Sequence, residues 1–189
     1  MNYKQEETFE KIDFSTDSLE IAEYEYCTFK NCNFESINLR EAKFIDCHFL
    51  DCNLSLIQLY NTSIQNCTFT RCKMLGIQFP QANPFALSFS FNACILDHSN
   101  FYGLKLNKTI FTHCRMHQVD FESTELKEAA FQHCDLLGAK YYRTHLEKSD
   151  FLESVNFVID PEQNFIKGAK FSTDQLANLL EKYKLRITS

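Results

Sequence analysis

From residue 27 to residue 56 the chain reads CTFKNCNFESINLREAKFIDCHFLDCNLSL, with a large apolar residue at every fifth place: Phe29, Phe34, Leu39, Phe44, Phe49 and Leu54. The step continues through Leu59, Ile64, Phe69 and Met74 to Phe79. A second series starts at Phe91 and runs through Leu96, Phe101, Leu106, Phe111, Met116, Phe121, Leu126, Phe131, Leu136, Tyr141 and Leu146 to Phe151. A period of five fits neither the 3.6-residue helix nor the two-residue strand. It belongs to a repeat architecture, in which stacked neighbours bury what no single unit can bury alone.

Two residues before each large side chain stands a small or compact one, and all nine cysteines fall there. They also show a longer period. Cys27, Cys47 and Cys67 are twenty apart, as are Cys32, Cys52 and Cys72, then Cys94, Cys114 and Cys134. Five and twenty together mean four units per coil, so the chain is a four-sided solenoid. At about 4.8 Å per coil, some seven coils give a rod roughly 35 Å long.

Units such as CNFES (Cys32 to Ser36), AKFID (Ala42 to Asp46), CNLSL (Cys52 to Leu56), VDFES (Val119 to Ser123) and CDLLG (Cys134 to Gly138) resemble the pentapeptide-repeat signature A(D/N)LXX over roughly residues 9 to 157. The resemblance implies an all-β solenoid, a right-handed quadrilateral β-helix. The central Phe or Leu and the small residue before it face inward, and the other three positions face outward.

The organisation that follows is a lead-in (1–8), coils (9–79), a register break (80–90), further coils (91–157), a distorted last coil (158–171) and a C-terminal segment (172–189). Phe79 to Phe91 is twelve residues, two more than two repeats, and Pro80 and Pro84 mark bulges or corners. This is either a bulge absorbed by the coil or a short loop projecting toward a partner. The apolar Phe85, Leu87 and Phe89 favour the bulge. In the last coil Asn156 and Pro161 fall at the central positions, with a turn at Asp160-Pro161. Ser172 to Gln175 fits a capping box, and Leu176, Leu179, Leu180 and Tyr183 follow at helical spacing. Leu185 to Ser189 reads as a short strand. The helix caps the rod, and its stripe equally suits burial in a dimer.

Composition narrows function. Residues 1 to 25 hold eight acids and two bases, and residues 26 to 153 hold thirteen and twelve. No basic stripe tracks a phosphate backbone, so direct nucleic-acid binding is not expected. No membrane-spanning stretch or signal-peptide run is present, and nine cysteines without an export signal point to a reducing cytoplasm. The Cys-x4-Cys pairs 27/32, 47/52 and 67/72 lie on adjacent walls among Phe rings, where cysteine acts as a small hydrophobe, so no metal is expected. His113, His117 and His133 read as solvated surface residues. No nucleophile, phosphate-loop or dinucleotide motif occurs, and a Phe-filled core leaves no interior pocket. No enzyme, cofactor or small-molecule substrate is expected.

On the outside, Asn38, Gln58, Gln78, Asn100 and Asp120 form one polar ladder. Asp120, Glu122, Glu125 and Glu128 crowd one corner, with Glu147, Asp150 and Glu153 on the coils that follow, interleaved with Lys140, Arg143 and Lys148. Such a run reads as a solvated face or as an acidic stripe read by a DNA-binding protein. The chain further resembles Qnr-type quinolone-resistance proteins, the mycobacterial fluoroquinolone-resistance protein and immunity proteins against microcin B17 and albicidin. Length, mid-chain break and the tail KFSTDQLANLLEKYKLRITS carry that likeness. It implies a dimeric rod that mimics DNA and protects DNA gyrase or topoisomerase IV. The topoisomerase contact would fall on Asp120, Glu122, Glu125, Glu128, Glu147 and Asp150. Leu176, Leu179, Leu180, Tyr183, Leu185 and Ile187 would form the dimer. Long projecting Qnr loops are absent, and the surface is less acidic than a DNA mimic requires. The alternative is a scaffold or adaptor for an unrelated cytoplasmic protein.

Overall fold

The computed structural model describes residues 2–186. Eleven short strands occur in chain order: β1 (Asn2–Gln5), β2 (Thr8–Glu10), β3 (Ala22–Glu25), β4 (Thr28–Lys30), β5 (Lys43–Ile45), β6 (His48–Leu50), β7 (Ser63–Gln65), β8 (Cys67–Thr70), β9 (Phe89–Asn92), β10 (Ile110–Thr112) and β11 (Ala130–Gln132). Every pairing is parallel, and within a regular coil the partners are twenty residues apart, as in Phe29 with Phe49. Wall 1 carries β1-β3-β5-β7, and wall 2 carries β2-β4-β6-β8-β9-β10-β11. Walls 3 and 4 are held by single parallel bridges, such as Asn33–Asn53 on wall 3 and Asn100–Asp120 on wall 4. The result is a four-sided parallel β-solenoid of about seven turns. At its corners the chain turns through left-handed residues, for instance Asn31 at φ 53°, Asp51 at 54° and Asn61 at 53°. Asn and Asp tolerate that region best among non-glycine residues.

The core is columns of rings. On wall 2, Phe9, Phe29, Phe49 and Phe69 stack at 4.8–4.9 Å between successive centroids. The column continues through Phe91, Phe111, Phe131 and Phe151 to Phe171. Neighbouring columns meet edge to face, as Phe111 does with Phe121 at 6.1 Å and 75°. Both geometries suit the ring quadrupole, so packing stabilises beyond area alone.

The small inward residue is a hydrogen-bond donor as well as a spacer. Thr144 Oγ1 donates to Phe121 O at 2.9 Å, Ser154 Oγ to Phe131 O at 2.6 Å and Thr62 Oγ1 to Leu39 O at 2.7 Å. Cysteine does the same with a longer reach: Cys47 Sγ to Tyr24 O and Cys52 Sγ to Phe29 O, both 3.3 Å. Each serves a carbonyl one coil back. Phe121 O also accepts the Thr124 turn amide at 3.1 Å, so Thr144 fills its second lone pair. Thr144→Val keeps the shape and removes the donor while Phe121 O retains the Thr124 amide, and is expected to destabilise by about 0.5–1.5 kcal/mol. An unchanged urea midpoint would show that this donor contributes nothing.

The two-residue insertion is absorbed within one coil. Cys67 pairs with Phe89, Lys73 with Ile95 and Gln78 with Asn100, each pair twenty-two apart. A 3-10 turn at Phe79–Gln81, opened by Pro80, takes up part of the slack. Phe89 is buried and packs 5.3 Å from Phe79 and 5.0 Å from Phe91. Phe85, however, turns outward and is 75% exposed, so of the apolar residues that favoured the bulge this one does not enter the core. The last coil also departs from the count. Asn156 adopts φ 60° and points out to Asp135, while Phe157 beside it is fully buried, and Ile159 is fully buried at the inward position twenty residues after Ala139. One slipped residue lets an apolar ring fill the core instead of an amide.

The C-terminal helix is shorter than the stripe suggests. One α-turn, α1 (Leu176–Leu179), lies between 3-10 turns at Thr173–Gln175 and Glu181–Tyr183, and Lys184 ends it at φ 48°. Of the stripe, Leu179 packs on the core. Without a buried face a longer helix lacks the packing that stabilises short helices in water. No strand forms at residues 185–186, and Ile187 lies outside the described residues.

Candidate functional site

Outward charges are arranged by the coil period. Lys43 pairs with Glu23 at 2.9 Å, Arg71 clasps Asp51 through two bonds of 2.7 and 2.9 Å, and Lys170 meets Asp150 at 3.1 Å, each across one coil step. The Arg71 hydrogen bond holds the Asp51 carboxyl below its usual range.

The six acids expected to meet a topoisomerase are spread over three walls, Asp120 and Glu122 on wall 4, Glu125, Glu128 and Glu147 along wall 1 and Asp150 on wall 2, without forming a continuous negative face. Asp120 turns its Oδ1 onto the Glu122 amide at 2.9 Å. Glu125 accepts from Asn107 at 3.2 Å and stands in a column between Lys105 and His145. Glu147 meets Lys127 at 3.2 Å and His145 at 3.3 Å. Glu128 is exposed, and the residues a coil before and after it are Lys108 and Lys148. Along the Glu128 and Glu147 columns the sign alternates coil by coil, the latter running Lys127, Glu147, Lys167.

The negative surface lies elsewhere. Residues 1 to 25 carry eight acids and two bases, a net of −6, and the remaining seventeen acids and seventeen bases cancel. Thus the whole formal charge sits on the first coil. Glu10, Glu20 and Glu23 are ion-paired there, whereas Glu6, Glu7, Asp17 and Glu25 make no ion pair among the described residues. Sequence reading counted these acids without assigning them a contact, though the count was itself the signal.

The C-terminal tail is tied down by polar groups and leaves its apolar ones free. Gln175 accepts the Ser172 amide at 2.9 Å and donates to Phe151 O at 2.9 Å and Ser154 O at 2.7 Å, closing the last coil. Lys182 reaches Asp160 at 2.8 Å and Glu162 at 2.6 Å, and Tyr183 Oη donates to Glu162 at 2.6 Å. Leu176, Leu180, Tyr183 and Leu185 remain 36–57% exposed. The Lys182 hydrogen bond holds the Asp160 and Glu162 carboxyls below their ordinary values. Depressed carboxyls contribute above the unfolded pKa, about 4, and that contribution fades as pH falls through the folded values. Tyr183 ring resonances should therefore shift toward a free-tail position below about pH 4. Resonances constant from neutral pH into that range would contradict the docking.

The nine cysteines are free and buried. Burial pushes the Cys27, Cys32 and Cys67 thiols up. No metal-holding group of three His, Cys, Asp or Glu occurs among the described residues, and no described helix is long and apolar enough to cross a membrane.

The family signature described as a pentapeptide repeat region matches residues 22–89 and 87–155, well over half of the sequence. The chain belongs to the pentapeptide-repeat family. Two solved structures agree on the fold. A trypsin-treated form of QnrB1, a plasmid-mediated fluoroquinolone resistance protein, aligns with this pentapeptide-repeat chain at TM-score 0.58 and 20% identity, covering 100% of this chain and 92% of that one. A second trypsin-treated form aligns at TM-score 0.50 and 19% identity, covering 99% and 98%. HetL, a pentapeptide repeat protein involved in heterocyst differentiation regulation from the cyanobacterium Nostoc sp. Strain PCC 7120, aligns at 0.49 and 15%, covering 89% and 84%. Among curated proteins none matches by sequence.

Proposed function

We propose that this pentapeptide-repeat chain is a non-catalytic, dimeric protection protein that engages DNA gyrase or topoisomerase IV in place of DNA and relieves poisoning by quinolones or peptide toxins. The observation that carries the reading is a rod that closes its last coil with polar bonds yet leaves Leu176, Leu180, Tyr183 and Leu185 uncovered at that end. A second copy covering them would make a longer rod with acidic first coils at both tips. Its likeness in fold to a fluoroquinolone resistance protein supports the same reading. The contact works by steric and electrostatic competition.

Two acid sets bear the contact in this account: the set spread over walls 4, 1 and 2, and the unpaired acids of the first coil. Immobilised gyrase should capture the chain. Glu6→Lys with Glu7→Lys and Asp17→Lys should weaken capture by at least ~10-fold, since like-charge juxtaposition at an interface costs several kcal/mol. Glu122→Lys with Glu125→Lys and Glu128→Lys tests the other set. Leu180→Glu should turn the dimer into a monomer by light scattering. A wild-type monomer, or capture indifferent to both acid sets, would overturn the reading. The sign alternation on wall 1 favours the second reading, a scaffold that binds an unrelated protein through its ladders.

A further inference from the structure

The two ends of the rod differ. Gln175 closes the last coil, whereas the first coil is open. β1 and β2 are the outermost strands of their sheets, so each has one edge without a neighbour among the described residues. Later coils donate backward, as the Thr28 amide does to Glu7 O and the Asn33 amide to Ile12 O, both at 2.9 Å. The amides in those places on the first coil, Thr8 and Asp13, have no coil behind them among the described residues. Phe9, Ile12 and Leu19 are only partly buried, whereas Phe29, Cys32 and Leu39, one coil on, are 0–3% exposed. Phe9 stacks on Phe29 at 4.8 Å, and no ring among the described residues stacks on its other face. Acids stand around this apolar floor. Glu7 and Asp17 fall at the inward small position, which Cys27 and Ile37 occupy one coil on, and both are exposed.

We infer that this open face is a docking surface for a basic, extended segment of a partner protein, added as a strand beside β2. Strand addition takes the unpaired amides and carbonyls of a sheet edge, and alternate side chains supply specificity. An added strand lies about 4.8 Å beyond β2, so its inward apolar side chain rests on Phe9 as Phe9 rests on Phe29. Its Lys and Arg side chains meet Glu6, Glu7 and Asp17, which make no ion pair among the described residues. The β1 edge is blunted instead. Lys4 stands at the inward place of Tyr24 and turns to Glu20 at 3.7 Å, and an inward charge on an edge strand disfavours pairing. Charge selects the occupant. Eight acids against two bases over residues 1 to 25 repel a second copy placed end to end, and repel a phosphate backbone equally.

The test is a titration of the isotope-labelled chain with an alternating lysine–valine peptide of about seven residues, an ordinary strand length. Saturable amide shifts centred on Thr8, Glu10 and Asp13 are expected, and they should weaken as salt is raised. Glu7→Lys with Asp17→Lys should weaken binding at least ~10-fold. Glu153→Lys with Asp174→Lys, at the other end of the rod, should leave it unchanged. A peptide with prolines in place of its valines keeps the charge and cannot pair as a strand, so it should bind at least ~10-fold more weakly. Equal binding by that peptide would reduce the contact to charge and overturn the proposal. So would no saturation at ~1 mM peptide, a weak fragment's ordinary limit, or shifts spread evenly over the coils. First-coil shifts on concentrating the chain alone would put a second copy on this face and likewise overturn it. No topoisomerase takes part, so a negative result here leaves the gyrase reading standing, and failed gyrase capture leaves this face standing.

Discussion

Phe111→Ala is expected to destabilise the fold by about 3–5 kcal/mol, the range for deleting a buried aromatic. Phe111 is fully buried, stacked between Phe91 at 5.5 Å and Phe131 at 5.0 Å, and meets Phe101 and Phe121 edge to face at 6.1 Å. Alanine leaves a void in the middle of the longest column, and neighbouring coils are tied in register by backbone bonds that limit collapse into it. Stability in a solenoid is close to a sum of unit and nearest-neighbour terms. The substitution therefore weakens the coupling between the coils before and after it, and urea unfolding should lose cooperativity as well as midpoint. Phe85→Ala is the matched control, because that ring is 75% exposed and its loss should stay within ~0.5 kcal/mol. A small effect at Phe111, or a large one at Phe85, would mean that the rings are placed wrongly.

Native protein should give no reaction with a thiol reagent, and unfolded protein should release all nine thiols. Every cysteine is buried, and Sγ atoms such as those of Cys47, Cys52 and Cys134 are engaged with carbonyls of the coil before. The reactive form is the thiolate, and burial raises the Cys27, Cys32 and Cys67 thiols away from it. Because the thiols stand at the position that Thr and Ser fill on other coils, Cys52→Ser should fold, whereas Cys52→Val removes the donor. Rapid labelling of any thiol in the folded chain would contradict this packing.

Much of this was readable because two integers, five and twenty, govern the chain. Phe29, Phe49 and Phe69 announced the ring column, and the phase of the cysteines announced the inward small position. What the period could not reveal lies where it fails. Phe157 displaces Asn156 because a ring gains more from the core than an amide can, a choice made by packing and not by count. Phe85 is apolar yet outward because the coil absorbs only two extra residues there, and Phe89 already fills the space. The helical stripe was real, but only Leu179 found a core to pack on. The charge alternation was legible and needed the period applied outward: adding twenty to Lys127 gives Glu147, then Lys167. The crowding of acids along the sequence hid it, because residues close in the chain stand in different columns.

The central claim is that the rod occupies a topoisomerase in place of DNA. Its most direct test is DNA gyrase titrated with the purified chain, with and without a quinolone that traps cleaved DNA. The account predicts fewer trapped breaks at low protein and inhibited supercoiling at higher protein, with both effects lost in the first-coil charge reversals. Undiminished trapping and unaffected supercoiling up to high micromolar protein would contradict it and leave the scaffold reading in its place.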